Sequence, residues 1–164
     1  MSNRRPPISI SAGSTSFRRG FTLVEVLIVV IILGILASVV IAHVNSRRDE
    51  AHNHAFVSNL KAFMEKFQLR EAQAGMWPAD RNPGEPVPEM AELIHEDHWT
   101  RATSLGGNWD WDHQQFGFTA GVSVFRPLRD DAAMAGVDSI IDDGDLNTGG
   151  FRKRLDGFIA ILQP

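Results

Sequence analysis

The chain has no cysteine. Disulfides and thiolate metal sites are excluded, while the compartment stays open, because extracytoplasmic proteins can do without disulfides. Acid is missing from residues 1–20, which carry Arg4, Arg5, Arg18 and Arg19. Clustered base is scarce in the rest: it holds 12 basic and 20 acidic side chains, a balance of −8, and its close basic runs are Arg47-Arg48 and Arg152-Lys153-Arg154. Phosphate affinity needs clustered Lys and Arg, so no nucleic-acid partner is expected. No internal repeat, Ser-His-Asp set, Gly-rich phosphate loop or nucleophile elbow is visible, and the chain reads as a non-enzyme. Its 164 residues leave room for one modest domain and an appendage.

Polar residues are almost absent from Leu23 to Ala42, where the exceptions are Glu25 and Ser38. Twenty residues at about 1.5 Å each reach roughly 30 Å as a helix, the thickness of a bilayer core. The β-branched run through Val24, Val26 and Ile28–Ile32 is tolerated in lipid, where backbone hydrogen bonds must close within the segment. The Arg-rich flank predicts a single-pass span with the N-terminus cytoplasmic and the C-terminal domain extracytoplasmic; Arg47 and Arg48 oppose this weakly. A secretory signal peptide fits badly, since the apolar run is long and no small-x-small site precedes a break. A plain anchor leaves Glu25 unexplained, because an ionised carboxylate near a helix centre costs about 2.5–3.5 kcal/mol.

Arg18-Arg19-Gly20-Phe21-Thr22-Leu23-Val24-Glu25 resembles the processing site of type IV pilins and type II secretion pseudopilins, and the likeness runs on through Gly34 and Ala37 to about Ala42. That resemblance implies a cut by prepilin peptidase between Gly20 and Phe21, N-methylation of Phe21, and retention of Glu25 for assembly. The new α-amino group is cationic at neutral pH, and pairing it with Glu25 of a neighbouring subunit removes most of the cost of two charges in hydrocarbon. The other implied partners are further pilin or pseudopilin subunits and an inner-membrane assembly platform, with the chain passing from the bacterial inner membrane into a pilus or periplasmic pseudopilus. Two features depart from the family. Ala42 stands where many members have a kink-forming proline, and the leader, with Pro6-Pro7 and a Ser-rich run, is long and expected to be disordered before removal.

The expected organisation is a cleaved leader over 1–20, a membrane and filament-core helix over 21–44, and an extracytoplasmic head over 45–164. The fold class is α+β: one long helix from Phe21 to about Ala74, whose Ala55, Phe56, Leu60, Phe63, Phe67 and Ala74 follow 3- and 4-residue steps, packed on a small antiparallel sheet. Gly75 ends the helix, and Gly75-Met-Trp-Pro78 resembles the family's exit from it. Beyond a Pro-rich loop, the pattern predicts a short helix from Glu89 to Trp99, a turn at Gly106-Gly107, and strands over Asn108–Asp112 and Phe116–Phe125. A helix over Ala132–Ile141 follows, capped by Asp130 or Asp131, then a hairpin over Phe151–Leu162 turning at Asp156-Gly157.

Three head features invite a functional reading. Asp143, Asp145 and Asn147 occupy positions 1, 3 and 5 of a calcium-loop spacing, but Thr148 stands where that loop wants glycine and Arg154 where it wants glutamate. Major secretion pseudopilins hold Ca²⁺ in a C-terminal loop, so the resemblance makes Ca²⁺ the one candidate cofactor. Trp109 and Trp111 share a strand face and offer an alternative role as an adhesive, ligand-binding minor pilin, set against ordinary core packing. His95, Glu96, Asp97 and His98 place two histidines at i and i+3, not the i and i+4 of a zincin, and read as a solvated helix face.

Overall fold

The computed structural model describes residues 20–164; the basic leader, with Arg4, Arg5, Arg18 and Arg19, otherwise lies outside the described residues. Helix α1 spans Leu23–Ala74 and the chain divides into two compact units, one ending at Ala42 and the other His43–Pro164. Thr22 opens the helix, accepting from Glu25 N at 3.2 Å as an N-cap. Gly75 closes it: its φ of 72° is the left-handed conformation that glycine reaches without strain, and its N–H donates to Glu71 O at 2.7 Å. In the first unit the apolar side chains from Leu23 to Ile41 stand about half exposed or more, and α1 is long and apolar enough to cross a membrane.

The second unit is an α+β head. Strands β1 (Asn108–His113), β2 (Ala120–Phe125), β3 (Phe151–Arg154) and β4 (Gly157–Gln163) form one antiparallel sheet in the order β1-β2-β4-β3. The crossover from β2 to β3 contains helix α3, Asp131–Ile141, and the hairpin then returns β4 between them. Period-two alternation sorts the sheet into two faces. Trp109, Trp111, Val122, Val124, Phe158 and Ala160 join the core with Phe56, Leu60, Phe63 and Phe67 of α1 and Met134 and Val137 of α3. Phe67 stacks on Trp111 with ring centroids 3.9 Å apart and planes 4° apart, and Phe56 stacks on Trp109 at 5.1 Å and 9°. Phe63 meets Trp99 and Trp109 edge-on at 5.2 and 5.0 Å. The buried indoles keep polar partners: Trp111 Nε1 donates to Pro78 O and Trp99 Nε1 to Glu85 O.

Four expectations shift. The helix expected over Glu89–Trp99 is a 3₁₀ turn, Pro88–Met90, a run of turns, and helix α2, Glu96–Thr100. Met90, Ile94 and Trp99 still point inward, but His95 is extended, with ψ 130°, and interrupts the helix. Strand β2 starts at Ala120 because Gln114, Phe116 and Gly117 take positive φ and make a tight turn. The last hairpin turns at Leu155-Asp156, one residue early. Gly157 is needed by its neighbour instead: a Cβ there would lie 2.0 Å from Val124 O. Finally, Trp109 and Trp111 are 2 % and 0 % exposed, spent on α1, so neither indole offers a face to a ligand and the adhesive reading fails.

Truncating a fully buried aromatic removes its transfer energy and leaves a cavity. Phe67→Ala is expected to lower stability by about 3–5 kcal/mol in denaturant unfolding of the chain, whereas Leu155→Ala, at a 94 % exposed turn position, should stay within about 0.5 kcal/mol. Equal effects of the two changes would contradict the packing described.

Candidate functional site

At the start of α1 the described chain runs Gly20, Phe21 and Thr22 in non-helical backbone, all exposed. Glu25 does not stand alone. Its Oε2 accepts from Thr22 N at 2.8 Å and from Thr22 Oγ1 at 2.9 Å, while Glu25 N donates to Thr22 Oγ1 at 3.2 Å. This is a capping box, in which cap and third helical residue satisfy each other's orphan donors. The positive end of the helix dipole adds to it. The Thr-x-x-Glu spacing signals the box in the sequence, and Thr22 is the residue that a reading centred on Glu25 misses. Farther along, Ser38 Oγ donates to Ile35 O at 2.7 Å, so the other polar residue of the run is satisfied within its own helix.

In the head, the loop after α3 draws its polar groups into local bonds. Asp143 Oδ1 accepts from Asp145 N at 2.9 Å, and Asp145 Oδ1 accepts from Asn147 N at 3.1 Å and Asn147 Nδ2 at 2.8 Å. Thr148 Oγ1 donates to Asp143 Oδ2 at 3.0 Å. The N–H of Asp145 first, and the hydroxyl of Thr148 second, hold the Asp143 carboxyl below its ordinary range. Among the described residues, the carboxylates that converge are Asp138, Asp142 and Asp143, each offering an oxygen within 4.8 Å of the others. Asp138 is fully buried, and burial first, then the charge of Asp143, raises its carboxyl above the ordinary range. Asp145 lies outside that group.

His95 and His98 have ring centroids 5.8 Å apart, and the His95 imidazole lies 3.7 Å from Asp97 with both side chains more than 70 % exposed. They belong to no cluster of three or more ligand groups among the described residues.

The sheet face turned away from α1 carries a buried ionic cluster. Asp110 and Asp112 alternate with the two core tryptophans, so they project from the other side of β1. Arg154 of β3 donates to Asp110 Oδ2 at 2.5 Å and to Asp112 Oδ1 at 2.9 Å, and Ser123 Oγ donates to Asp112 Oδ2. Phe116 lies over the guanidinium, 4.8 Å from ring centre to Cζ. Two carboxylates share one arginine. Burial and the charge of Asp112 push Asp110 up to about 6 against the pull of Arg154, and burial likewise raises Asp112.

Against known proteins, residues 15–41 match the prokaryotic N-terminal methylation motif. The chain is similar to type II secretion system core protein G of Pseudomonas aeruginosa, 35 % identical over 79 residues, which is 43 % of this chain and 56 % of that protein. The protein of the same name from Klebsiella michiganensis is 33 % identical over 61 residues, 37 % of this chain and 43 % of its own length. The one from Escherichia coli is 28 % identical over 80 residues, 49 % and 55 %. The chain thus spans about half the length of the curated relatives it matches. No solved structure matches it.

The Asp110 cluster makes a pH-dependent contribution of definite sign. Because its folded pKa of about 6 lies above the ordinary 3.8, the stabilisation from its bound proton is complete below about 3.8 and is lost as pH rises to about 6. Asp110→Asn keeps a neutral side chain throughout. Relative to the unsubstituted chain, its unfolding midpoint should therefore improve between about pH 4 and pH 7. A difference between the two midpoints that does not change with pH would show that Asp110 does not titrate in this window.

Proposed function

We propose that the chain is a structural, non-enzymatic subunit of a type II secretion pseudopilus or type IV pilus. In this reading prepilin peptidase cuts it between Gly20 and Phe21, Phe21 is N-methylated, and the subunit polymerises through its apolar helix. The observation that carries the reading is the coincidence of the methylation motif at 15–41 with an apolar helix whose side chains stay exposed among the described residues. The likeness to the core protein G of several secretion systems supports the secretion form over the pilus form.

The local geometry suits this chemistry. A peptidase needs an accessible, extended bond, and Gly20–Phe21 precedes the first helical residue, with Phe21 79 % exposed. Cutting there creates a cationic α-amino group on Phe21, four residues from Glu25 and next to the Thr22 amide already bonded to it. The carboxylate is held at the mouth of the helix by its cap, so the amine of this subunit or of a staggered neighbour reaches a group already positioned. Pairing removes the cost of two isolated charges in hydrocarbon and sets the stagger between helices. Helix association in lipid draws on close packing more than on the hydrophobic effect, and the span offers Gly34, Ala37 and Ser38 as small residues for it.

In this reading the chain crosses the inner membrane once, over about residues 21–44. Its basic leader faces the cytoplasm and the head, from residue 45 on, lies outside. The other partners are further pseudopilin subunits and the inner-membrane assembly platform, and the assembly ATPase of the machine supplies the work.

Expression with and without prepilin peptidase, followed by N-terminal sequencing, tests the reading. The expected product is a chain beginning at N-methylated Phe21 only where the peptidase is present, and an uncut chain in both strains would overturn it. Glu25→Ala should still be cut yet enter filaments poorly, and normal incorporation would remove the pairing role of the carboxylate.

A further inference from the structure

The buried ionic cluster on the sheet face away from α1 lines a cleft of about 360 Å³. One wall is the loop over 80–83, fastened to β1 where Gly84 N donates to Trp109 O at 2.8 Å and Asp80 Oδ1 accepts from His113 N at 2.9 Å. Another is the turn after β1, where Gln114 and Phe116 hold φ of 59° and 51°. Residues other than glycine enter this left-handed region only at a cost. Here it sets the Phe116 ring over the Arg154 guanidinium while Phe116 itself stays 48 % exposed.

Charge in the cleft is unbalanced. Asp80, Asp110, Asp112 and Asp156 line it against Arg81 and Arg154. Arg81 is held by Glu89, at 3.1 Å. Arg154 therefore faces the aspartates alone: it donates to Asp110 Oδ2 and Asp112 Oδ1, and its Nε stands 3.9 Å from Asp156 Oδ1, beyond hydrogen-bond reach. Asp110 is left incomplete. Its side chain is 4 % exposed, yet its Oδ1 receives no hydrogen bond among the described residues. A buried, charged acceptor without a donor is costly. Burial first, and then the negative charge of Asp112, push this carboxyl up to about 6 even with Arg154 beside it. The cleft thus stays negative with its own arginine in place.

A metal ion suits the cleft poorly. Chelation needs several oxygens around one point, and the carboxylates here belong to no group of three or more converging ligands among the described residues. A guanidinium suits it better. Its N–H donors are spread over a flat, rigid fork that serves separated carboxylates, and its face stacks on an aromatic ring such as Phe116. We propose that this cleft binds an organic cation with several N–H donors, best an alkylguanidinium, and that Asp110 is the acceptor the ligand completes. Such a group arrives either as a free small cation or as an arginine side chain on a polypeptide, with the same chemistry. The inference rests only on residues of the head and stands or falls separately from processing at Gly20.

NMR titration of the full chain in detergent micelles tests it, read at the backbone amides of residues 110–116 and 154–156. Ethylguanidinium should shift these amides with a Kd of about 1 mM, reasonable for so small a ligand. Tetramethylammonium, which carries charge but no N–H, and Mg²⁺ should bind about tenfold more weakly or worse. Asp110→Asn removes the charge and keeps the shape, and should weaken ethylguanidinium about tenfold or more. Asp80→Asn, at the exposed rim, is the second probe should Asp110→Asn fail to fold, and should weaken it by a smaller factor. Glu92→Gln, exposed and outside the cleft, should leave binding unchanged. A blocked tripeptide with arginine at its centre separates the sources: tighter binding than ethylguanidinium assigns the site to a polypeptide, weaker binding to a free cation, and either supports it. No shift of these amides up to about 20 mM ethylguanidinium would overturn the site. So would equal binding of tetramethylammonium, or binding that survives both Asp110→Asn and Asp80→Asn unchanged.

Discussion

The head depends on one contact: the stacking of Phe56 and Phe67 of α1 on Trp109 and Trp111 of β1. A four-stranded sheet with one covered face buries little on its own, and short strands need such a partner to persist in water. The two stacks, with Phe63 edge-on between Trp99 and Trp109, give α1 a fixed position on β1. The first pair of strands then sets the next, since Val122 and Val124 stand opposite Trp111 and Trp109, and Ala160 and Phe158 opposite them in turn. Once the indoles face the helix, period two forces Asp110 and Asp112 to the other face. The ionic cluster with Arg154 is therefore a consequence of where the tryptophans go.

Much of this was legible in the sequence because it is periodic. The 3- and 4-residue steps from Phe56 to Phe67, the alternation of Trp109 and Trp111, and the glycine at 75 each state a conformation locally. The Thr-x-x-Glu cap was equally plain as a pattern, though a reading fixed on the carboxylate passes over its partner three residues earlier. What was not legible depends on neighbours distant in the chain. The hairpin turn slid by one residue because Gly157 answers to Val124, on a strand more than thirty positions away in sequence. The helix predicted from Glu89 gave way to turns because its inward side chains, Met90, Ile94 and Trp99, are placed by packing and not by continuous helical spacing.

The candidate sites divide in the same way. The span and its acidic residue can be read from composition, and the methylation motif covers the same stretch. The carboxylate cluster at the end of α3 was half visible. The acidic loop stands out, but a spacing template selects alternate residues in a loop, while the structure recruits a helical residue, Asp138, from four positions before Asp142. A one-turn separation on a helix brings those two together. From sequence, Asp138 reads as a polar residue on α3; its burial makes it different, and burial is a property of the whole fold.

The chain thus keeps carboxylates in three settings that differ in how much compensating charge the chain supplies. Glu25 takes N–H and O–H donors from Thr22 and the positive end of its own helix. Asp110 and Asp112 take a guanidinium and, through Ser123, a hydroxyl, and the charge still uncompensated there is met by a proton on Asp110 up to about pH 6. Asp138 sits at the opposite end of a helix, where the dipole repels it, and among the described residues it has neither donor nor cationic partner. Thr22 satisfies Glu25 locally, whereas in the second cluster Asp110 Oδ1 and Arg154 Nε keep no hydrogen-bond partner among the described residues. The third receives least from the described chain, so burial and the helix dipole act on it with little to offset them.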